Sequence, residues 1–313
     1  MQQAQCAGAV LMVRPAAFDY NLETAATNSL QHKPQRGAAV AQQLARAEFD
    51  LVVASLRGEG VQVCVAEDTP EPAKPDALFP NNWVSFHADG TVVLYPMHAE
   101  NRRRERRSEV IEQVADELGF RVRRTVDLTH LEAEGKYLEG TGSLVLDHVR
   151  RVAYACRSAR THEEALRIWC GQMQYEPVLF SAAGRDGKPL YHTNVLMCLG
   201  ERAAIVGAQS IAPTDRERVL ERLKASGREI IEIAPEAVEG FAGNTLELAT
   251  WDEALGDSSL LVMSTTARQA LGPQAFARLS ACADTVLAIP VPTIQTVGGG
   301  GVRCLLAEVF LAP

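Results

Sequence analysis

Apolar positions along the chain fall into short alternating runs, then recur at helical spacing, then alternate again. From Trp83 the order is two β-prone runs joined by Ala-Asp-Gly (83–96), a charged helical stretch (101–119) and a strand (121–127). The order then repeats: hairpin 142–155, helix 161–173, strand 176–182, and hairpin 193–207, helix 214–227, strand 228–234. A last copy has a hairpin with a longer tip (244–264), a broken helix (266–282) and a strand (284–290). Four ββαβ units at a period of roughly 50–60 residues are self-similarity of the kind that marks a radial array.

The two ends predict a fifth unit. The run 302–310 and the strand Ala9 to Val13 supply its hairpin, a helix over 38–56 and a strand over 61–67 the rest. Closing a ring with both termini removes open sheet edges. The predicted fold class is therefore α/β, a five-fold pseudosymmetric α/β propeller whose first unit is closed by both termini, one domain over residues 1–313. The proline-rich stretch 69–76 is a connection within it. An open parallel sheet is the alternative, and the hairpins argue against it.

Composition narrows the function. With 47% hydrophobic and 22% charged residues the chain can build a core. A net charge of −8 argues against a nucleic-acid surface, which needs a basic field. No run approaches a membrane span, and the N-terminus lacks the basic and apolar regions of a signal peptide. The seven cysteines are scattered, without CxxC or Cys/His ligand spacing, so no disulfide framework or structural zinc is expected and a cytoplasmic setting fits.

The residues just before the predicted hairpins are Asn81-Asn82, Glu139-Gly140, His192, Gly243-Asn244 and Cys304. In a radial array, equivalent positions face one axis, so these meet at one mouth. Cys304 follows four glycines (298–301), which free the backbone for φ > 0 and close approach. Alone, such a cysteine reads as a core thiol, His192 as a satisfied core histidine and Glu139 as an exposed turn residue. Together they supply a nucleophile, a proton carrier and a carboxylate to orient it. A phosphate cradle at the glycines is disfavoured, because a β-prone run follows rather than a helix.

These residues give the sequence a resemblance to the pentein superfamily of guanidine-modifying enzymes, carried by DALFPNN (76–82), EGTG (139–142), YHTN (191–194) and GGGGVRC (298–304). With NRRRERR (101–107) it is most similar to the citrulline utilization hydrolase branch. The resemblance implies Cys304 as nucleophile, His192 as general acid and base, and Glu139 as a group that binds substrate nitrogens and holds His192. It implies that Asp76 contacts the substrate and that Arg160 grips its α-carboxylate, with Arg102 or Arg103 a second grip. Cations near a helix N-terminus oppose its dipole, which favours anion binding for one of the arginines. Asn244 is a ligand-lining candidate whose plainer reading is a turn residue.

The sequence departs from the hydrolase pattern at Asn81 and Asn82, where two acids are usual, and at Asn194, where deiminases carry aspartate. Guanidinium groups favour carboxylates; amides offer donor and acceptor together and suit a neutral ureido group. Citrulline is the favoured substrate, giving ornithine, ammonia and carbon dioxide through S-carbamoyl cysteine. Dimethylarginine or arginine hydrolysis to citrulline, through an S-alkylthiouronium, is the alternative, and a non-enzymatic binding protein on the same fold a third. Neither route calls for a metal or organic cofactor. The expected partner is a small amino acid, with homo-oligomerisation left open, and segments 14–37 and 291–301 are lid candidates.

Overall fold

The computed structural model describes residues 4–252 and 256–311. The predicted long tip of the last hairpin (253–255) and the first residues of the N-terminal stretch lie outside them. In chain order the strands are β1 (Ala9–Arg14), β2 (Gln62–Glu67), β3 (Val84–Phe86), β4 (Thr91–Leu94), β5 (Arg124–Asp127), β6 (Val145–Asp147), β7 (Val152–Cys156) and β8 (Glu176–Phe180). They continue with β9 (Met197–Leu199), β10 (Ala203–Val206), β11 (Glu229–Glu232), β12 (Leu246–Asp252), β13 (Gly256–Ser264), β14 (Thr285–Ile289) and β15 (Ala307–Val309).

All five predicted units are recognisable as strand triplets. In each, the first strand is antiparallel to the second and the second parallel to the third: β3-β4-β5, β6-β7-β8, β9-β10-β11 and β12-β13-β14. A tight turn suffices for the antiparallel step, whereas the parallel step needs a crossover, which here carries a helix. The ends of the chain build β15-β1-β2 by the same rule, with Ala9 opposite Val309. β15 also pairs with β3 at Val309 and Phe86, so this triplet and the next form one six-stranded sheet. Among the described residues the other three triplets are separate three-stranded sheets rather than parts of one hydrogen-bonded ring.

The crossover helices form where apolar residues recur at helical spacing. Helix Ala38–Gly58 buries Ala41, Ala45, Phe49, Val52 and Leu56 on one stripe. Helix Thr265–Ser280 starts with Ser264 accepting from the Ala267 amide and breaks at Gly272 (φ 69°) before Pro273, as its sequence predicts.

Several expectations need correction. The charged stretch 101–119 is not one helix: it divides into Glu100–Arg103 and Ser108–Leu118, so Arg102 and Arg103 lie in the last turn of a short helix rather than at a long helix's N-terminus. Nor do the hairpins begin where predicted. A helical turn stands before the first strand of most units: Pro80–Asn82, Gly140–Ser143, Thr193–Leu196 and Val302–Leu305. Cys304 therefore lies in a turn ahead of β15, not at a strand's start. The segment 291–301 is largely buried and contains a π-helical turn, Ile294–Gly298, so it packs as core rather than as a surface lid.

Candidate active site

Those short turns carry the candidate residues. Glu139 and His192 cap two of them, Asn81 and Asn82 lie in a third, Cys304 in a fourth, and Asn244 follows the bend that precedes β12. The EGTG motif has a steric reason. A Cβ on Gly140 (φ 45°) would lie 2.1 Å from the Asn81 carbonyl oxygen; one on Gly142 would lie 2.5 Å from Asn82 Nδ2 and 2.7 Å from the His192 ring. Only glycine lets the three turns approach this closely.

Glu139 is fully buried. Its Oε2 is 2.8 Å from His192 Nε2, and its Oε1 accepts from the His98 amide at 3.1 Å. Burial opposes its charge, but Arg160, the His192 contact and Arg102 together hold its carboxyl well below the usual range. Burial lowers His192 to about 4, partly offset by the Glu139 contact. The imidazole is thus neutral at neutral pH: Nε2 donates to Glu139 and the other ring nitrogen can accept a proton.

Cys304 is buried beneath two amides. Asn244 Nδ2 stands 3.3 Å from Sγ and Asn194 Nδ2 3.9 Å. Burial pushes the thiol up, while the Asn244 hydrogen bond and the positive field of Arg303 and Arg102 pull it down. The resting group is a thiol. The preceding glycines serve packing against the protein rather than an open space for a ligand. Cβ atoms on Gly298 and Gly300 would press on the Phe79 ring, and one on Gly301 would lie 2.5 Å from Asn244 Oδ1.

Arg160 lies behind the pair. It donates to Thr27 Oγ1 and to the Thr24 carbonyl, reaches Glu139 Oε2 at 3.5 Å and stacks over Tyr191 with its guanidinium carbon 5.0 Å from the ring centroid. A cavity of about 200 Å³ is lined by Thr27, Ala159, Lys188 and Tyr191, among others, but not by Arg160, Cys304, His192 or Glu139. Asp76 Oδ2 accepts from Asn21 Nδ2 at 2.8 Å and from Thr24 Oγ1 at 3.2 Å, leaving Oδ1 without a partner. The Asn81 amide and the outer atoms of Asn82 and Asn194 (Nδ2 and Oδ1) are likewise buried without protein partners. Buried polar groups left this way cost stability unless a ligand or water completes them.

The two other arginines depart from expectation. Arg103 does not join the cluster: its Nε donates to the Met97 carbonyl and pairs with Glu132. Arg102 is buried and its donors are engaged by the protein, so as it stands it is no free carboxylate grip. Nε and Nη2 make a bidentate bond to Glu105, each 2.9 Å, and Nη1 donates to Asn82 Oδ1 at 2.9 Å. Sequence reasoning missed Glu105, whose place in a basic run reads as a solvated helix end. It also missed the docking of segment 14–37: Asn21, Thr24 and Thr27 hold Asp76 and Arg160, and Asn28 donates to the Gly299 carbonyl. The Asx pattern of Asn21, whose side chain caps the turn Leu22–Ala25, was the available signal. Among the described residues no cluster of His, Cys, Asp or Glu is placed to hold a metal ion, and no helix is long and apolar enough to cross a membrane.

The family model described as N,N dimethylarginine dimethylhydrolase, eukaryotic, matches residues 14–311. The chain belongs to that family. It is thus a hydrolase of the pentein superfamily. No curated protein matches it. Among solved structures it is similar to the substrate-bound N-terminal domain of ArgZ, an arginine dihydrolase from the ornithine-ammonia cycle in cyanobacteria. The TM-score is 0.73 at 16% identity, covering 97% of this chain and 98% of that one. Complete ArgZ in its apo form gives 0.72 at 17%, covering 97% of this chain and 40% of that. A histidine-to-glycine variant of dimethylarginine dimethylaminohydrolase, as an adduct with S-methyl-L-thiocitrulline, gives 0.63 at 17%, covering 96% and 98%. These likenesses establish the mixed α/β fold of the pentein enzymes.

Proposed function

We propose that the chain is a single catalytic domain whose five units stand about one axis, and that it hydrolyses citrulline. Cys304 attacks the ureido carbon while its proton passes to the neutral ring nitrogen of His192. The bond to the ornithine nitrogen breaks as His192 returns that proton to the leaving amine, and S-carbamoyl cysteine remains. Water, deprotonated by His192, attacks the carbamoyl carbon; thiol and carbamate separate, and carbamate gives ammonia and carbon dioxide. Glu139 fixes the imidazole and stabilises its charged form. Asn244 and Asn194 offer donors to the sulfur. Arg160 is the candidate grip for the α-carboxylate once it leaves Thr24 and Thr27.

One observation carries the choice of substrate. The acids near the histidine already have cations of the chain's own: Arg102 lies 3.8 Å from Asp76 and 3.7 Å from Glu139, and Arg160 3.5 Å from Glu139. What the site leaves unpaired is mostly amide, with donors and acceptors mixed, as a ureido group requires. A guanidino substrate is the second reading, supported by the family and by the raised thiol, since a bound cation would stabilise the thiolate. Steady-state assays with citrulline, arginine, dimethylarginine and agmatine separate the two. Ornithine and ammonia should form fastest from citrulline; turnover of guanidino compounds alone would overturn the reading.

A further inference from the structure

The outer edges of the units share a rule that one unit breaks. β5, β8 and β11 each end a sheet. Where β8 and β11 begin, a glutamate meets an arginine of the following crossover helix: Glu176 with Arg222, and Glu229 with Arg278. At the same place β5 has Arg124, which donates to the Gln172 amide. A neutralised pair in two units is thus an unneutralised cation in the third.

More arginines surround it. Residues 121–125, Arg-Val-Arg-Arg-Thr, are all exposed. The β6–β7 turn brings Arg150 and Arg151 alongside, for Arg151 donates to the Met173 carbonyl next to Gln172. Among the described residues Arg121, Arg123, Arg124 and Arg151 enter no ion pair, and Arg150 reaches only Asp147, 3.8 Å away and already held by Arg228. Asp89 lies in the field of Arg151, but its carboxylate is taken by the Thr91 amide. Val122 and Val149, adjoining these arginines in sequence, are 45% and 38% exposed. In a chain of net charge −8 the corner is a local positive field. β4 and β5 run in parallel from it towards the site, so it stands at the far end of its unit from Glu139.

We propose that this corner is a docking surface for an extended acidic segment of a partner protein, with carboxylates alternating with aliphatic side chains. Guanidinium forks match carboxylates bidentately. The edge of β5 offers main-chain groups to an added strand, whose side chains then face alternate sides. On such a strand the carboxylates meet the arginines and the aliphatic groups meet Val122 and Val149. A duplex or a bilayer would spread its field over the rest of an acidic chain and be repelled there, whereas a short segment meets the corner alone.

The test uses the full chain and a labelled synthetic peptide of alternating glutamate and leucine, followed by fluorescence anisotropy. The wild type should bind it, more weakly as salt is raised. Arg123→Glu/Arg150→Glu should weaken binding about tenfold or more and leave citrulline turnover unchanged. Arg185→Glu/Arg268→Glu, exposed arginines elsewhere, should leave binding unchanged. Val122→Ser/Val149→Ser should weaken the alternating peptide several-fold while sparing polyglutamate. Should the reversed charges impair folding, Arg123→Gln/Arg150→Gln must still lose affinity. Equal loss in both arginine pairs, the mark of diffuse attraction, would overturn the proposal. So would an absence of peptide binding, or tighter binding to duplex DNA or to phosphatidylserine vesicles than to the peptide.

Discussion

Cys304 and His192 both rest neutral, one a buried thiol and the other a buried imidazole. For His192 the sign is explicit. Its folded pKa, about 4, lies below its ordinary 6.5, so as pH falls the unfolded chain takes up the proton first. Stability owed to the neutral imidazole is present above 6.5 and is lost as pH falls towards 4. The reaction needs the neutral ring, so the acid limb of kcat/KM should lie well below 6.5; a limb at or above 6.5 would contradict the burial argument. The sulfur offers a second check. Asn244 Nδ2 is the nearer amide donor to Sγ, and that bond holds the thiol down. Asn244→Ala should shift the pH dependence of thiol alkylation upward by up to about one unit, the worth of one hydrogen bond.

At the scale of elements, the site depends on turns three or four residues long packed against each other through glycine. Gly140→Ala places a methyl against the Asn81 carbonyl and strains a positive φ, so it should cost about 1–3 kcal/mol in denaturant unfolding and lower kcat in the folded fraction. Gly119→Ala, also at positive φ but with open space about it, should cost less and leave kcat unchanged. The contrast also shows what sequence could reveal. Strands and crossover helices announce themselves through period-two and helical apolar spacing, which is why all five units were legible. Turns such as Thr193–Leu196 are too short to show a period, so they merged into the predicted hairpins. The Arg102–Glu105 pair was hidden for another reason: RRRERR has the composition of a solvated helix end, and only the break before Ser108 turns two of its residues inward.

Across the whole molecule, buried charge ties units together. Arg228, before β11, pairs with Asp147 at the end of β6 at 2.6 Å, and Gln5 Oε1 in the N-terminal segment accepts from both Arg228 and the His148 amide. Arg228→Met leaves the buried Asp147 only the Arg150 amide and that arginine's exposed guanidinium, 3.8 Å away, and should destabilise the fold by about 3 kcal/mol, with kcat per folded molecule unchanged. The contact of Glu139 with His192 was legible because they hold equivalent places in one repeat; the buried charges on which the proposed choice of substrate rests leave no mark in any periodicity. The covalent intermediate bears on that most directly. Enzyme mixed with citrulline, quenched in acid and mapped by peptide mass should carry, at Cys304, one carbamoyl group in place of a hydrogen. An unmodified Cys304 during turnover, or the adduct on any other residue, would contradict the account.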